Sequence, residues 1–162
     1  MINVMKVASY IVERYEKELH EKIDEMKLHK LLYFAQRESY VVKNEPLFPD
    51  QFQAWVYGPV MVSIRDVYKR DAFLTNLQED EEFKPYAAAF DTVFRQYAPK
   101  SSWSLSTLTH AEISWKNARK GYDTYDPCDK LMENEDIRKD AEHIKLRRFF
   151  FNELLPKLKE NH

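Results

Sequence analysis

Ser102, Ser104, Ser106 and Thr107 stand within a few residues of His110, the hydroxyls and imidazole from which a nucleophilic hydrolase could be assembled. A hydroxyl attacks only when a base activates it. The chain has no G-x-S-x-G elbow and no strand–turn–helix to hold one. Capping of consecutive helices accounts for Ser104 and Thr109 without catalysis, and His110 reads as a structural histidine at a helix start. A zinc site needs three or four converging ligands. The five histidines, at 20, 29, 110, 143 and 162, include no pair at ligand spacing, and Cys128 is the single cysteine. One cysteine also excludes a disulfide framework. Carboxylates cluster at Asp80, Glu81 and Glu82 and again at Glu133, Glu135 and Asp136, where helix N-termini favour negative charge. With only two glycines, Gly58 and Gly121, no glycine-rich phosphate loop is available. The residues predict no catalytic group, no metal and no cofactor.

Binding chemistry is better supplied. Lys27 and Lys30 share a helical face near Tyr33, Phe34 and Arg37, and Lys116, Arg119, Lys120, Arg147 and Arg148 are locally basic. Yet 25 Lys and Arg face 27 Asp and Glu, for a net charge of −2, and acidic residues interleave throughout. That balance disfavours gripping a phosphate backbone, so nucleic acid is not the expected partner. Aromatics make up 14% of the chain, which suits a rigid core or a contact surface. The densest group is C-terminal. Ile137, Ala141, Ile144, Phe151 and Leu155 make one helical face, Leu146, Phe150 and Leu154 another, and Phe149 lies off both. Such a helix is either central in the core, the reading we favour from the sequence, or half-covered by a partner. Phe149 and Phe150 are the candidate partner anchors. Tyr122 and Tyr125, in a loop, form a second contact site.

The 162 residues suit one domain, 1–162, able to bury a sizeable core. Hydrophobic residues make up 44%, so disorder is excluded. Glu13, Arg14, Glu16 and Lys17 interrupt any signal-peptide core, and no stretch approaches the roughly 20 apolar residues of a membrane span. A soluble, cytoplasmic protein without a membrane partner is expected. Helical periodicity dominates. Asn3 caps a first helix with its apolar face at Val4, Val7, Ala8, Ile11, Val12 and Tyr15, and Asp24 caps a second, apolar on more than one side. Gln51 to Tyr57 alternates as a short strand, with a partner strand expected at Pro46 to Phe48. Gly58-Pro59 then opens a helix. A stripe from Phe83 to Tyr97 predicts a helix starting near Pro85, and a short helix spans Trp103 to Leu108. Thr109-x-x-Glu112 matches a capping box for a helix ending at Gly121. Asn134 caps the final helix, expected at about 135–158 and packed on the rest. The fold class is a mainly α, multi-helix domain with a short strand pair around residues 46–57.

Three blocks carry a family resemblance. They are Lys27-Leu28-His29-Lys30-Leu31-Leu32-Tyr33-Phe34-Ala35-Gln36, then Ala54-Trp55-Val56-Tyr57-Gly58-Pro59-Val60, then Leu105 to Trp115 with Thr109, His110 and Glu112 inside it. In this order they resemble the phage-associated Panacea domain, with its SocA-like and GepA-like members, over about residues 4–115. His29 stands where a glutamine is expected and Ser114 where a proline is common. The resemblance implies a bacterial or prophage antitoxin of a toxin–antitoxin pair. It would neutralise a protein toxin from a neighbouring gene by direct binding, or act as an adaptor delivering the toxin to a protease. No enzymatic activity or cofactor is implied. A prophage-encoded DNA-binding regulator and an uncharacterised hydrolase are the alternative readings. On the residues alone, Leu28 and Leu31 face the core, and Trp55, Tyr57 and Trp115 are core aromatics whose polar hydrogens need partners.

Overall fold

Asn3 and Asp24 start the first two helices as their positions predict. In the computed structural model, which describes residues 1–161, their side chains accept hydrogen bonds from the Met5 and Lys27 backbone N–H groups. Helix α1 runs Val4–Leu19 and α2 Glu25–Lys43. Helix α2 is the axis of the fold. Every residue from Lys27 to Tyr40 is buried, and α1, α4 (Ala87–Gln96), α5 (Ser102–His110) and α7 (Asn134–Phe149) pack around it. A helix apolar on several sides needs such all-round cover. His162, the last of the five histidines, lies outside the described residues.

The strand pair forms, but with a different partner. β1 (Gln53–Trp55) pairs antiparallel with β2 (Gly58–Val60) across a turn at Val56–Tyr57. Gly58-Pro59 therefore begins a strand, and the helix that follows, α3, starts only at Val62 and ends at Lys69. Residues Pro46 to Phe48 make no strand because other groups take their backbone. The Gln36 side chain accepts from Leu47 N–H (2.7 Å) and donates to the Phe48 carbonyl (2.8 Å), and Ile2 N–H donates to the Leu47 carbonyl (2.7 Å). The free edge of β1 is taken by residues 130–132: Ala54 N–H donates to the Lys130 carbonyl and Met132 N–H to the Phe52 carbonyl.

Of the stripe expected at Phe83, Tyr86, Ala87, Phe90, Val93, Phe94 and Tyr97, all but Ala87 are in the core, and Ala87 is exposed at the start of α4. Its first turns are a 3-10 helix, Glu81–Tyr86, containing Pro85, and α4 follows. The capping box does not form. Helix α5 is capped by Ser101 rather than Ser104 and continues through Thr109, whose hydroxyl donates back to the Ser106 carbonyl (2.7 Å). Glu112 is drawn toward Arg37 and Tyr33 instead, and α6 (Ile113–Ala118) stops before Gly121. Its free N–H groups are capped from a distant helix: Asp140 accepts from Ile113 N–H at 2.8 Å. Asn134 does not cap α7 by its side chain, which donates to the Pro49 carbonyl.

Helix α7 is buried at Ile137, Asp140 and Ala141 and increasingly exposed beyond Ile144. One π-helical turn, Phe150–Leu154, joins it to α8 (Leu155–Glu160), where Pro156 sits in the first turn. The expectation that this end of the helix lies in the core is overturned. No helix of the described residues is long and apolar enough to cross a membrane.

Candidate protein-interaction site

Phe149 is 53% exposed and Phe150 42%, with Leu146, Phe151, Leu154 and Leu158 exposed alongside them. Leu146, Phe150, Leu154 and Leu158 fall at four-residue steps and so along one side of the helix. No element of the described residues buries these side chains. Lys145, Arg147, Lys157 and Lys159 lie in the same exposed segment, with Glu153 and Glu160 among them. A hollow of about 450 Å³ between α6 and α7, lined by Glu112, Ile113, Asp140, Ile144, Leu146 and Arg147, adjoins it. Tyr125 is 81% exposed and Tyr122 36%, in the loop after α6, so the second contact candidate is also on the surface but on a separate element.

A buried polar network holds the exposed helix to the core. Arg148 donates to both carboxylate oxygens of Glu38, at 2.9 and 2.6 Å, and Glu38 is buried on α2. Arg37 beside it donates to Glu38 (3.3 Å), to Glu112 (3.0 Å) and to the Tyr97 hydroxyl. Burial works against the Arg37 charge, but Tyr97, Tyr33, Glu112 and Glu38 around it raise its pKa overall. The Tyr33 hydroxyl bridges Asp140 (2.8 Å) and Glu112 (3.0 Å), and its burial between two carboxylates pushes its pKa well up. Burial likewise raises Glu112, against the pull of Arg37. Bidentate and fully partnered, the Arg148–Glu38 pair fixes the direction in which α7 leaves the core.

The three sequence blocks meet on the other side of α2, at the hairpin. Lys30 is 1% exposed and donates to the Pro59 carbonyl at 3.1 Å, while His29 Nδ1 accepts from Met61 N–H at 3.1 Å. Together they satisfy the outer edge of β2 as a third strand would. A glutamine at position 29 has an oxygen that could accept the same bond, which reconciles the departure noted in the sequence. Burial, then the neighbouring Lys30 charge, holds the His29 imidazole well below its usual range, against the pull of Glu25. The Ser106 hydroxyl donates to the Tyr57 carbonyl (2.5 Å) and Trp115 Nε1 to the Trp55 carbonyl (2.8 Å), and His110 stacks on Trp115 with ring centroids 4.3 Å apart. Ser106 is thus committed to the hairpin, whereas His110 packs through its ring and keeps a buried Nε2 with no hydrogen-bond partner among the described residues. Leu28, Leu31 and Trp115 are core residues. Trp55 is half-buried, and Tyr57 is half-exposed against Trp103 rather than in the core, because it sits at the hairpin turn.

Lys27, buried too, donates to the Tyr15 hydroxyl (2.9 Å) and the Ala98 carbonyl (3.2 Å). The basic face that Lys27 and Lys30 would have formed for nucleic acid is therefore inside the molecule. Sequence reasoning missed Asp140 and Glu38 and read Arg148 only as part of a basic cluster. The available signal was a charged pair, Arg37-Glu38, within a helix that must be covered on all sides.

The Lys30 environment gives a measurable pH dependence. Burial brings its pKa from 10.5 to about 7. Between those values the unfolded chain holds more protons than the folded one, so this group makes stability rise with pH across that window. Relative to the parent, Lys30→Met should be most favoured below pH 7 and lose that advantage steadily toward pH 10. Urea denaturation at pH 6.5, 8 and 9.5 measures the difference. A constant offset would show that the amine keeps its ordinary pKa.

These contacts define a small, mainly helical scaffold domain whose motif residues clamp a hairpin and whose terminal helix presents apolar surface. The sequence places it further: the family described as antitoxin SocA-like, Panacea domain, matches residues 28–116, more than half of the chain, and the protein belongs to that family. Membership supports an antitoxin-type role and, with it, a protein as the partner class. No curated protein and no solved structure matches the chain.

Proposed function

We propose that this protein is an antitoxin that binds a toxin encoded by a neighbouring gene and holds it inactive in a stable complex, without catalysis of its own. The observation that carries this reading is the apolar run on α7 and α8, unsatisfied by the fold and rigidly anchored through Arg148 and Glu38. Aromatic anchors with a charged rim are the anatomy of a protein interface, and a stable complex would bury on the order of 1,600 Å² in total. Tyr122 and Tyr125 supply a second exposed surface on a different element, which an adaptor delivering its toxin to a protease would need. The burial of Lys27 and Lys30 weighs against a DNA-binding regulator. The test is co-expression with the adjacent open reading frame and co-purification on a tag. The expected result is a toxic neighbour, rescued by this chain and recovered with it. A harmless neighbour that does not co-purify would end the antitoxin reading for that gene pair.

A further inference from the structure

A cavity of about 740 Å³ lies away from the C-terminal helix, between the first turns of α2, the hairpin and α3. Small-molecule sites span roughly 300–1,000 Å³ and combine mainly apolar walls with a few polar groups. Here Met26, Val60 and Pro127 join Trp55 and Tyr57 to make an apolar and aromatic wall. Two basic side chains also line it. Lys30 contributes to the floor, with one N–H used on the Pro59 carbonyl and no carboxylate within ion-pair distance among the described residues. Arg65, on α3, lies over the Trp55 ring with its guanidinium carbon 4.9 Å from the centroid. Only its Nε is engaged, donating to Glu25 at 3.2 Å, so among the described residues its two terminal nitrogens have no hydrogen-bond partner. Of the two carboxylates in the lining, Glu25 is held by Arg65 and His29, and Asp129 belongs to the loop opposite.

We propose that this cavity binds a small aromatic anion, its flat body against Trp55 and Tyr57 and its carboxylate, sulfonate or phosphate in the open fork of Arg65 above Lys30. A planar guanidinium with both terminal nitrogens free is built for bidentate recognition of such a group. An extended peptide is a poorer occupant. Both strand edges are already taken, one by residues 130–132 and the other by His29 and Lys30, so no backbone ladder remains for it to join. The site is independent of the antitoxin reading and stands or falls separately.

The test uses 8-anilinonaphthalene-1-sulfonate, followed by its fluorescence, with the neutral N-phenyl-1-naphthylamine as its uncharged twin. The full chain should bind the sulfonate saturably at one site, at least tenfold more tightly than the neutral compound. Arg65→Gln should weaken the sulfonate at least tenfold and leave the neutral compound unchanged. Trp55→Ala should weaken both, and Phe149→Ala with Phe150→Ala should leave both as in the parent. Arg65 and Tyr57 are partly exposed, so Arg65→Gln and Tyr57→Ala decide the matter if Trp55→Ala does not fold. Equal affinity for the two probes, no saturable binding, or a loss that follows Phe149 and Phe150 instead of Arg65 would each overturn the proposal.

Discussion

Replacing Phe149 and Phe150 together with alanine should weaken binding of the proposed toxin by roughly a hundredfold to a thousandfold, as expected for two aromatic anchors worth about 2 kcal/mol each. The melting temperature should stay within about 2 °C of the parent, because both rings are already largely in water and their truncation leaves no cavity. The dissociation rate should carry most of the change. Titration calorimetry with the purified partner and a parallel thermal melt give both numbers. Arg148→Ala is the informative companion. It acts through the direction of α7, by removing the two hydrogen bonds with which Arg148 holds Glu38, and through the positive charge it takes from that face. Full-strength binding by the Phe149/Phe150 double variant would move the interface elsewhere, with Tyr122 and Tyr125 the next surface to test. A fall of 10 °C or more in its melting temperature would instead return these rings to the core.

The second large effect is on stability. Gly58 sits at φ +110°, just after the hairpin turn, and a Cβ there would lie 2.5 Å from the Thr109 hydroxyl and 2.8 Å from Lys30 Cε. Gly58→Ala therefore combines the conformational cost of a left-handed residue, about 1–2 kcal/mol, with overpacking of about 1–3 kcal/mol. A total near 3 kcal/mol corresponds to a drop of roughly 10 °C in a domain of this size. Gly121→Ala isolates the first contribution, since Gly121 is also at positive φ but has nothing within 4 Å of the added carbon. It should lower the melting temperature by only a few degrees. Equal losses at the two positions would mean that the hairpin does not press on Thr109 and Lys30.

Local signals read well wherever the chain answers only to itself. The caps at Asn3 and Asp24 form because each serves N–H groups two or three residues away, and the stripe from Phe83 to Tyr97 buries all its predicted residues but Ala87 because they recur near a 3.6-residue period. The ordered blocks around Lys27, Trp55 and Thr109 are enough to identify the family, and in space they converge on one hairpin. Pairing choices were not legible. Thr109-x-x-Glu112 satisfies the capping pattern, yet Glu112 has a stronger partner in buried Arg37, and the vacated α6 terminus is capped by Asp140 from a helix far along the chain. Pro46 to Phe48 fails as a strand because Gln36 already holds it, and β2 finds its second edge partner in two side chains rather than a strand.

The apolar end of the chain shows the same division. Its composition established that Leu146 to Leu158 needs cover on more than one side, but hydrophobic patterning states a demand for burial without saying what supplies it. Only the packed molecule decides: α1, α4, α5 and α7 enclose α2 from Lys27 to Tyr40, and the chain from Phe149 to Leu158 stays largely exposed. For Lys27 and Lys30 the decision runs the opposite way. Sequence marks them as surface charges, and tertiary structure draws them inside because a strand edge and a carbonyl at Ala98 need donors there, and a long amine-tipped side chain can reach both.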